Sequence, residues 1–399
     1  MNSIFYCFPY IIIFIIITIF SVPLVNNRNP NASIINFGQY FAITFILILF
    51  IGLRGFIYTD WKTYYPYYNS LPSLFDGKNA LLTTITKGKY SVYEKGWLLF
   101  SILIKTFSSN YFVFQNLQFC IDLFILLLFF KTYIPDHIFL GVVFFYVFNG
   151  VIGLGLEINF LRNAKALMLF LISIQYIQKK KIILYFLLNI FGILFHTSSV
   201  LYLPLYFILN RRFSKKIYLY IFVIGNFIYL LQIRWVSVIL LSVSKYLGSN
   251  IEYILYRYIT SSKWSVSYGI SIGYLERFFT FILVMHFSNR LYKKSFNIIF
   301  INCLYLYILS YLYLSEMRIL TDRIPLLFAF GYWIIYPQIY VFFKKDKKII
   351  FLSFLIFYSV LKIMSGHSTI LNMYDNALYL KYSYEQRVQF RNQYFRSFE

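Results

Sequence analysis

A chain of 399 residues with 60% hydrophobic and only 13% charged side chains is not a water-soluble globular protein, whose charged fraction is nearer a quarter. In a soluble protein the formal net charge of +23 would indicate nucleic acid, but here the basic residues fall in short segments between apolar blocks. The composition therefore excludes a soluble enzyme with one core, and we expect no nucleic-acid partner.

Apolar blocks recur along nearly the whole chain. A helix needs roughly 20 residues to cross a bilayer, and inside lipid each backbone N–H and C=O group must be paired within its own segment. In chain order the blocks are 4–25, 37–54, 111–130, 138–157, 160–178, 217–242, 270–289, 296–314, 324–343 and 349–364. We expect an all-α, polytopic integral membrane protein with about 10–12 transmembrane helices and one or two re-entrant segments.

Basic residues between the blocks predict the side of the membrane that each connection faces. The positive-inside rule assigns 179–181, 211–216, 290–294 and 344–348 to the cytoplasm. The segments that then face outside are 243–269, 315–323 and the chain after 364.

Two segments do not fit a simple crossing. The block 97–107 is too short to span, so we interpret it as re-entrant or interfacial. The segment 182–209 has basic clusters at both ends, and we expect a hairpin with its turn near His196–Ser199.

The whole chain, 1–399, is predicted to form one multi-span membrane domain with an external loop at 55–96. A polar tail, 365–399, is expected to lie on the membrane surface. The three cysteines have no mutual spacing and indicate neither a metal site nor a disulfide framework; they are Cys7, Cys120 and Cys303.

The first polar motif, 52–65, reads Gly-Leu-Arg-Gly-Phe-Ile-Tyr-Thr-Asp-Trp-Lys-Thr-Tyr-Tyr. Arg54 lies on the last turn of an apolar helix, and Asp60 and Tyr64 follow it. Two interpretations are open. Arg54 is a snorkelling side chain and Asp60 a loop residue, or the two open onto a cavity at the outer interface where tyrosines stack on sugar rings.

Further charged residues flank the spans that follow. Glu94 precedes the short apolar segment, either as a solvated loop residue or as part of the same cavity. Arg162 and Lys165 lie one helical turn apart at the start of a span, so they share a face. They form an interfacial anchor or, as we favour, an anion site at a helix N-terminus, because arginine suits phosphate.

His196 lies at the predicted hairpin turn. A lone histidine in a membrane is often a packing residue bonded to a carbonyl, but it also donates to phosphate or relays protons. At this turn we favour the functional interpretation.

The second half of the chain carries Arg277 after Glu276 within a span, and Arg318 and Arg323 between two spans on the outer face. Local pairing of residues four apart at a helix end accounts for the acidic residues there, but less well for both arginines. No Walker A, H-E-x-x-H, G-x-S-x-G or C-x-x-C motif is present, and no metal site is expected.

At these residues the chain resembles the EpsG-like family of Wzy-type polysaccharide (O-antigen) polymerases. The matching segments are 52–65, Tyr-Glu-x-Gly-Trp (93–97), Phe-Leu-Arg-Asn-Ala-Lys-Ala (160–166), Phe-His-Thr-Ser-Ser (195–199), Gly-Tyr-Leu-Glu-Arg (273–277) and Met-Arg-Ile-Leu-Thr-Asp-Arg (317–323). Each is short, and their order gives the match its weight. The family commonly has Gln where this chain has Asn163, and Lys165 is unusual there.

The resemblance implies a glycosyltransferase-type polymerase in the bacterial cytoplasmic (inner) membrane, with its active site facing the periplasm or outside. Such enzymes transfer a growing glycan from undecaprenyl pyrophosphate to a sugar hydroxyl of a new lipid-linked repeat unit, in O-antigen, capsule or exopolysaccharide synthesis. Partners implied are the undecaprenyl-pyrophosphate-linked oligosaccharide, membrane lipids, a chain-length regulator and a flippase.

This reaction needs a base for the sugar hydroxyl, for which the candidates are Asp60, Glu94 and His196. It also needs groups that bind pyrophosphate and sugar. Those candidates are Arg54, Tyr64, Arg162, Lys165, Arg277, Arg318 and Arg323. We expect no cofactor, and arginines in place of a metal ion.

Other activities use the same setting. An O-antigen ligase or a lipid-linked-sugar glycosyltransferase would use the same pyrophosphate chemistry, although ligases carry a large late external loop. A polysaccharide flippase or transporter predicts two related halves with broken helices, and no internal duplication is evident. A structural partner of a synthase complex would tolerate loss of Arg162 and His196 together.

Overall fold

The computed structural model describes residues 3–26, 32–86, 93–147, 155–247, 249–260 and 269–396. The regular secondary structure of these residues is helical, apart from one isolated antiparallel bridge between Arg54 and Asn376. Three helices among them are long and apolar enough to cross a membrane, and counting two bent pairs as spans raises the number to five. The predicted all-α, polytopic membrane fold is confirmed.

The α-helices in chain order are α1 (Phe8–Asn26), α2 (Ala32–Leu47), α3 (Trp61–Ser70), α4 (Lys78–Thr86), α5 (Lys95–Phe107), α6 (Tyr111–Tyr133), α7 (Ile138–Val147), α8 (Gly155–Asn159), α9 (Leu161–Gln178), α10 (Ile182–Ile193), α11 (Leu205–Ile208), α12 (Lys215–Leu231), α13 (Val236–Leu247), α14 (Ser249–Thr260), α15 (Ile272–Leu291), α16 (Asn297–Tyr313), α17 (Arg318–Arg323), α18 (Phe330–Phe342), α19 (Lys345–His367) and α20 (Tyr384–Arg396). A π-helix follows α2 at Ile48–Gly52. Short 3-10 segments lie at Ile4–Cys7, Leu74–Asp76, Pro135–His137, Thr197–Tyr202, Pro325–Phe328 and Ile370–Asn372.

Two of the predicted spans are bent. In 217–242 the axis turns by 85° between α12 and α13. Gln232 ends α12 in the left-handed region (φ 53°), and the buried Glu316 carboxylate accepts hydrogen bonds from the first N–H groups of α13. The block 324–343 bends by 53°. Part of the predicted span 138–157 lies outside the described residues.

The segment 182–209 reverses direction, which confirms the predicted hairpin. The Tyr185 hydroxyl donates to the Tyr202 carbonyl at 2.5 Å, and the Ser199 hydroxyl donates to the Asn189 carbonyl at 3.0 Å. The turn lies between Ile193 and Thr197, where the sequence placed it.

The chain forms two compact units, Met1–Tyr206 with Phe343–Glu399, and Phe207–Phe342. The prediction of one multi-span domain stays a prediction. The core of the first unit contains an aromatic cluster from α3, α5 and α6, which includes Trp61, Tyr64, Trp97, Tyr111 and Phe114. Many tyrosines are therefore buried packing residues and not only residues of the membrane interface.

The C-terminal segment packs on the first polar motif, within the first unit. Asp375 and Leu371 carbonyls accept from the backbone N–H groups of Gly55 and Tyr58, and Ala377 donates to the Leu53 carbonyl, all at 2.7 to 2.8 Å. The segment therefore belongs to the packed structure around motif 52–65. Its predicted position on the membrane surface stays a prediction.

Candidate functional site

Four of the polar segments that the sequence singled out come together in the first unit. They are 52–65, 93–97, 157–166 and 195–199. The links between them are side-chain hydrogen bonds and ion pairs that join residues 68 to 103 positions apart.

Arg162 lies at the centre of these links, on the first turn of α9. Its Nη1 donates to Glu94 Oε2 at 2.5 Å, its Nε donates to the Tyr64 hydroxyl at 3.3 Å, and its guanidinium lies 4.9 Å from the centre of the Tyr93 ring. We call these four residues the Arg162 clamp. The Arg162 side chain is 25% exposed, and within the described residues its Nη2 has no hydrogen-bond partner. One edge of the guanidinium thus remains available to an anion.

The Glu94 carboxylate connects α9 to the hairpin turn. Glu94 is the N-cap residue of α5 but makes no capping hydrogen bond; instead its Oε1 accepts from the Thr197 N–H at 3.4 Å. The backbone pairs at the same place, because Trp97 N–H donates to the Leu194 carbonyl at 3.1 Å. A Cβ atom on Gly96 would lie 2.7 Å from that carbonyl, so only glycine allows this approach.

Tyr64 brings a protonated hydroxyl to the clamp. Burial raises the pKa of Tyr64 above its usual value, with the Arg162 charge opposing this effect. The hydroxyl oxygen accepts from Arg162, so its own proton remains to be donated.

His196 is half-buried and begins the 3-10 segment Thr197–Tyr202. Its Nδ1 accepts from the Ser198 N–H at 3.1 Å, which fixes the ring tautomer with the proton on Nε2. In this form the ring presents a donor at Nε2 rather than a base.

Asn159 fixes the turn that carries Asp60. Its Oδ1 accepts from the Thr59 hydroxyl at 3.0 Å and from the Asp60 N–H at 2.9 Å. Asp60 is the N-cap residue of α3, yet its carboxylate makes no capping bond and accepts from the Thr59 hydroxyl at 3.2 Å. Asn159 is a site residue that the sequence analysis missed. Its place just before the Arg162 motif was the available signal.

Arg54 is buried, so the first of its two sequence interpretations, a snorkelling side chain, was wrong. Its guanidinium donates to the carbonyls of Ile51, Glu157 and Ile158 at 2.7, 2.6 and 3.4 Å. These bonds tie motif 52–65 to α8. The predicted role of Arg54 in substrate binding stays a prediction.

Lys165 is also buried, one turn after Arg162. Its ammonium donates to Asp122 Oδ2 at 2.6 Å and to the Gln118 carbonyl at 2.8 Å. The Glu157 carboxyl on α8 is also buried. The sequence analysis missed Asp122, although a single carboxylate inside the apolar helix α6 was a signal that could have found it.

The second unit holds the remaining predicted residues. Arg277 donates to the Gly273 carbonyl at 2.7 Å and to the Tyr307 hydroxyl at 2.5 Å, and it stacks 3.8 Å from the Tyr311 ring centre. Glu276 accepts from the Tyr332 hydroxyl. Arg277 is therefore integrated into a tyrosine-rich polar network.

Arg318 and Arg323 are exposed near the start and end of α17. Arg318 lies 3.5 Å from Asp322 in an i,i+4 pair, as the local interpretation predicts. Glu316 differs from that interpretation, since it caps α13 and makes no local pair. Among the described residues no group of three or more His, Cys, Asp or Glu is placed to hold a metal ion.

The sequence matches the model of the EpsG family over residues 37–384, which is most of the chain. No curated protein and no solved structure matches it. The chain therefore belongs to the EpsG family, a family of Wzy-like, glycosyltransferase-type polysaccharide polymerases of the membrane, and this membership supports a general role in polysaccharide polymerisation.

Proposed function

We propose that this EpsG-family protein polymerises lipid-linked oligosaccharide repeat units. The growing glycan is transferred from undecaprenyl pyrophosphate to a sugar hydroxyl of a new repeat unit, at the outer face of the bacterial cytoplasmic membrane. The observation that carries the proposal is the Arg162 clamp, in which a partly exposed cation stands beside the Glu94 carboxylate, which does not cap its helix.

In this reaction the bond between the anomeric carbon and the pyrophosphate oxygen breaks, and a bond forms from that carbon to the acceptor oxygen. The pyrophosphate leaves as an anion, and the acceptor hydroxyl gives its proton to a base. Negative charge develops on the leaving oxygen, so donors held there in advance lower the barrier. We assign this role to Arg162 through Nη2, with the Tyr64 hydroxyl as a second donor.

For the base, the hydrogen bonds favour a carboxylate. His196 has Nδ1 occupied by the Ser198 N–H and carries its proton on Nε2, so it acts as a donor to phosphate. Glu94 is engaged in the 2.5 Å ion pair with Arg162. We therefore propose Asp60, held by Asn159 at its backbone, as the base, and Glu94 as the residue that aims Arg162.

The exposed Arg318 and Arg323 are proposed to attract the anionic substrate to the second unit. Arg277, which its tyrosine network holds in place, is proposed to bind the anionic substrate in the same unit.

The test uses the purified protein in lipid nanodiscs with a defined undecaprenyl-pyrophosphate-linked repeat unit and EDTA. We expect a ladder of lipid-linked products and stoichiometric release of undecaprenyl pyrophosphate. Transfer only to a separate acceptor would indicate a ligase, and movement of substrate across the bilayer without a new bond would indicate a flippase. Activity that EDTA abolishes and a metal restores would contradict the metal-independent mechanism.

A further inference from the structure

Three ionisable residues lie buried together in the first unit, on three different helices. Asp122 of α6, Glu157 of α8 and Lys165 of α9 are 1%, 2% and 5% exposed. Lys165 donates to Asp122 Oδ2 at 2.6 Å. We call them the buried charge cluster. Ionisable groups inside a membrane protein are expensive, so those that remain usually serve function.

The cluster is connected to Arg162 through α9. Lys165 lies one turn after Arg162, so a bond that fixes Lys165 against α6 also fixes the rotation of α9. Arg162 is 25% exposed and its own partner Glu94 is 14% exposed, so water and substrate compete for that pair. The buried ion pair between Lys165 and Asp122 is screened much less by water and salt.

The cluster is also connected to Asp60 through α8. The Glu157 backbone carbonyl accepts from Arg54 at 2.6 Å, and Asn159, two residues on, holds the Asp60 turn. Arg162 and Asn159, which holds the Asp60 turn, thus lie on helices that each carry a member of the cluster. Lys165 itself has two partners and is nearly inaccessible, so it acts through Arg162 and not on substrate.

We infer that Asp122 is a positioning residue for the proposed transfer reaction, which fixes α9 through Lys165 and so aims the Arg162 guanidinium at the pyrophosphate. The inference rests on the proposed function. It gives a role to Asp122, the carboxylate within the apolar helix α6.

A double-mutant cycle tests it. Asp122→Asn is introduced into the wild type and into Arg162→Ala, and kcat, KM and the affinity for undecaprenyl pyrophosphate are measured on the monodisperse folded fraction. A small displacement of a positioned group can reduce the rate about 100-fold, and we expect a loss of this size in kcat/KM from Asp122→Asn alone. In the Arg162→Ala background the same change has no further effect on affinity or rate.

A purely structural role predicts the opposite. Asp122→Asn would then leave the activity per folded molecule unchanged or lower it by the same factor in both backgrounds, and either result overturns the inference. The matched control is Asp136→Asn, which replaces an exposed carboxylate just beyond α6. It should change neither the rate nor the affinity for undecaprenyl pyrophosphate.

Should Asp122→Asn not fold because Lys165 is left as an unpaired buried charge, Asp122→Asn with Lys165→Gln removes both charges together. The double variant is expected to fold and to show the same dependence on Arg162; equal losses in both backgrounds contradict the inference. A wild-type protein that makes no ladder at all overturns the proposed function, and the inference with it. That outcome is distinct from an active enzyme with additive variants.

Discussion

Arg162 and Glu94 are 68 residues apart in the sequence and form an ion pair of 2.5 Å that joins α9 to the start of α5. Each residue keeps a second connection, Arg162 to Tyr64 and Glu94 to the hairpin turn. The pair is therefore the junction of all four polar segments, 52–65, 93–97, 157–166 and 195–199.

Replacement of Arg162 tests the clamp directly. Loss of one oriented donor to a developing anion reduces kcat about 100-fold or more, which we expect for Arg162→Ala. Arg162→Lys retains the positive charge but not the planar guanidinium with its paired N–H donors, so it should recover only part of the activity. The measurement is the initial rate of undecaprenyl pyrophosphate release. Wild-type rates for both variants at equal protein levels would refute the assignment.

Gly96→Ala should destabilise the first unit, because its Cβ atom would lie 2.7 Å from the Leu194 carbonyl oxygen. Overpacking of this kind costs about 1–3 kcal/mol. The control is Gly38→Ala, in α2, where a Cβ atom meets nothing within 4 Å and helix propensity improves. Thermal unfolding in detergent should separate the two variants, and equal unfolding temperatures would contradict the close approach.

The His196 tautomer leads to a distinction between two substitutions. Asn retains an acceptor for the Ser198 N–H, whereas Ala does not. We expect His196→Ala to lose about 1 kcal/mol of stability, as for other N-cap residues, and His196→Asn to lose little. Both variants lack the Nε2–H donor and should lose activity equally. A fully active His196→Asn would remove His196 from the proposed site.

Glu316 should matter for the stability of the second unit. Glu316→Ala leaves the Val236 and Ser237 N–H groups buried without their acceptor, at a cost of about 1–3 kcal/mol. Asp322→Ala removes an exposed i,i+4 pair, worth about 0.3–0.5 kcal/mol. Chemical denaturation should rank the two variants in this order. A reversed ranking would show that the cap is not what holds α13.

Arg387 should be needed to hold the C-terminal segment. Its Nη2 lies 3.2 Å from Asp375 Oδ2, and both side chains are buried. Breaking a buried pair from one side costs about 3–5 kcal/mol, so Arg387→Ala should release the segment to added protease. The exposed Arg396→Ala provides the comparison. Equal protease resistance in the two variants would argue against this role for the ion pair.

The sequence predicted the helical class, the hairpin turn at His196 and the polar segments that meet in the first unit, because apolar length and costly charges are local signals. It did not distinguish the partly exposed Arg162 from the buried Lys165. Helical spacing places both on one face of α9 but does not show which of the two side chains reaches solvent. Asp122 and Lys165 find each other only when α6 packs on α9. The bend after α12 depends on Glu316, about 80 residues away, which no local pattern reveals.

The hydrogen bonds from the C-terminal segment to the turn after Arg54 also impose an order on biosynthesis. Gly55 and Tyr58 leave the ribosome more than 300 residues before their partners Asp375 and Leu371. The turn that leads to Asp60 therefore gains these partners only after the chain has been synthesised as far as Asp375. A nascent chain that ends before Leu371 has the motif but not its finished geometry, so catalysis should begin only once this later segment has been made.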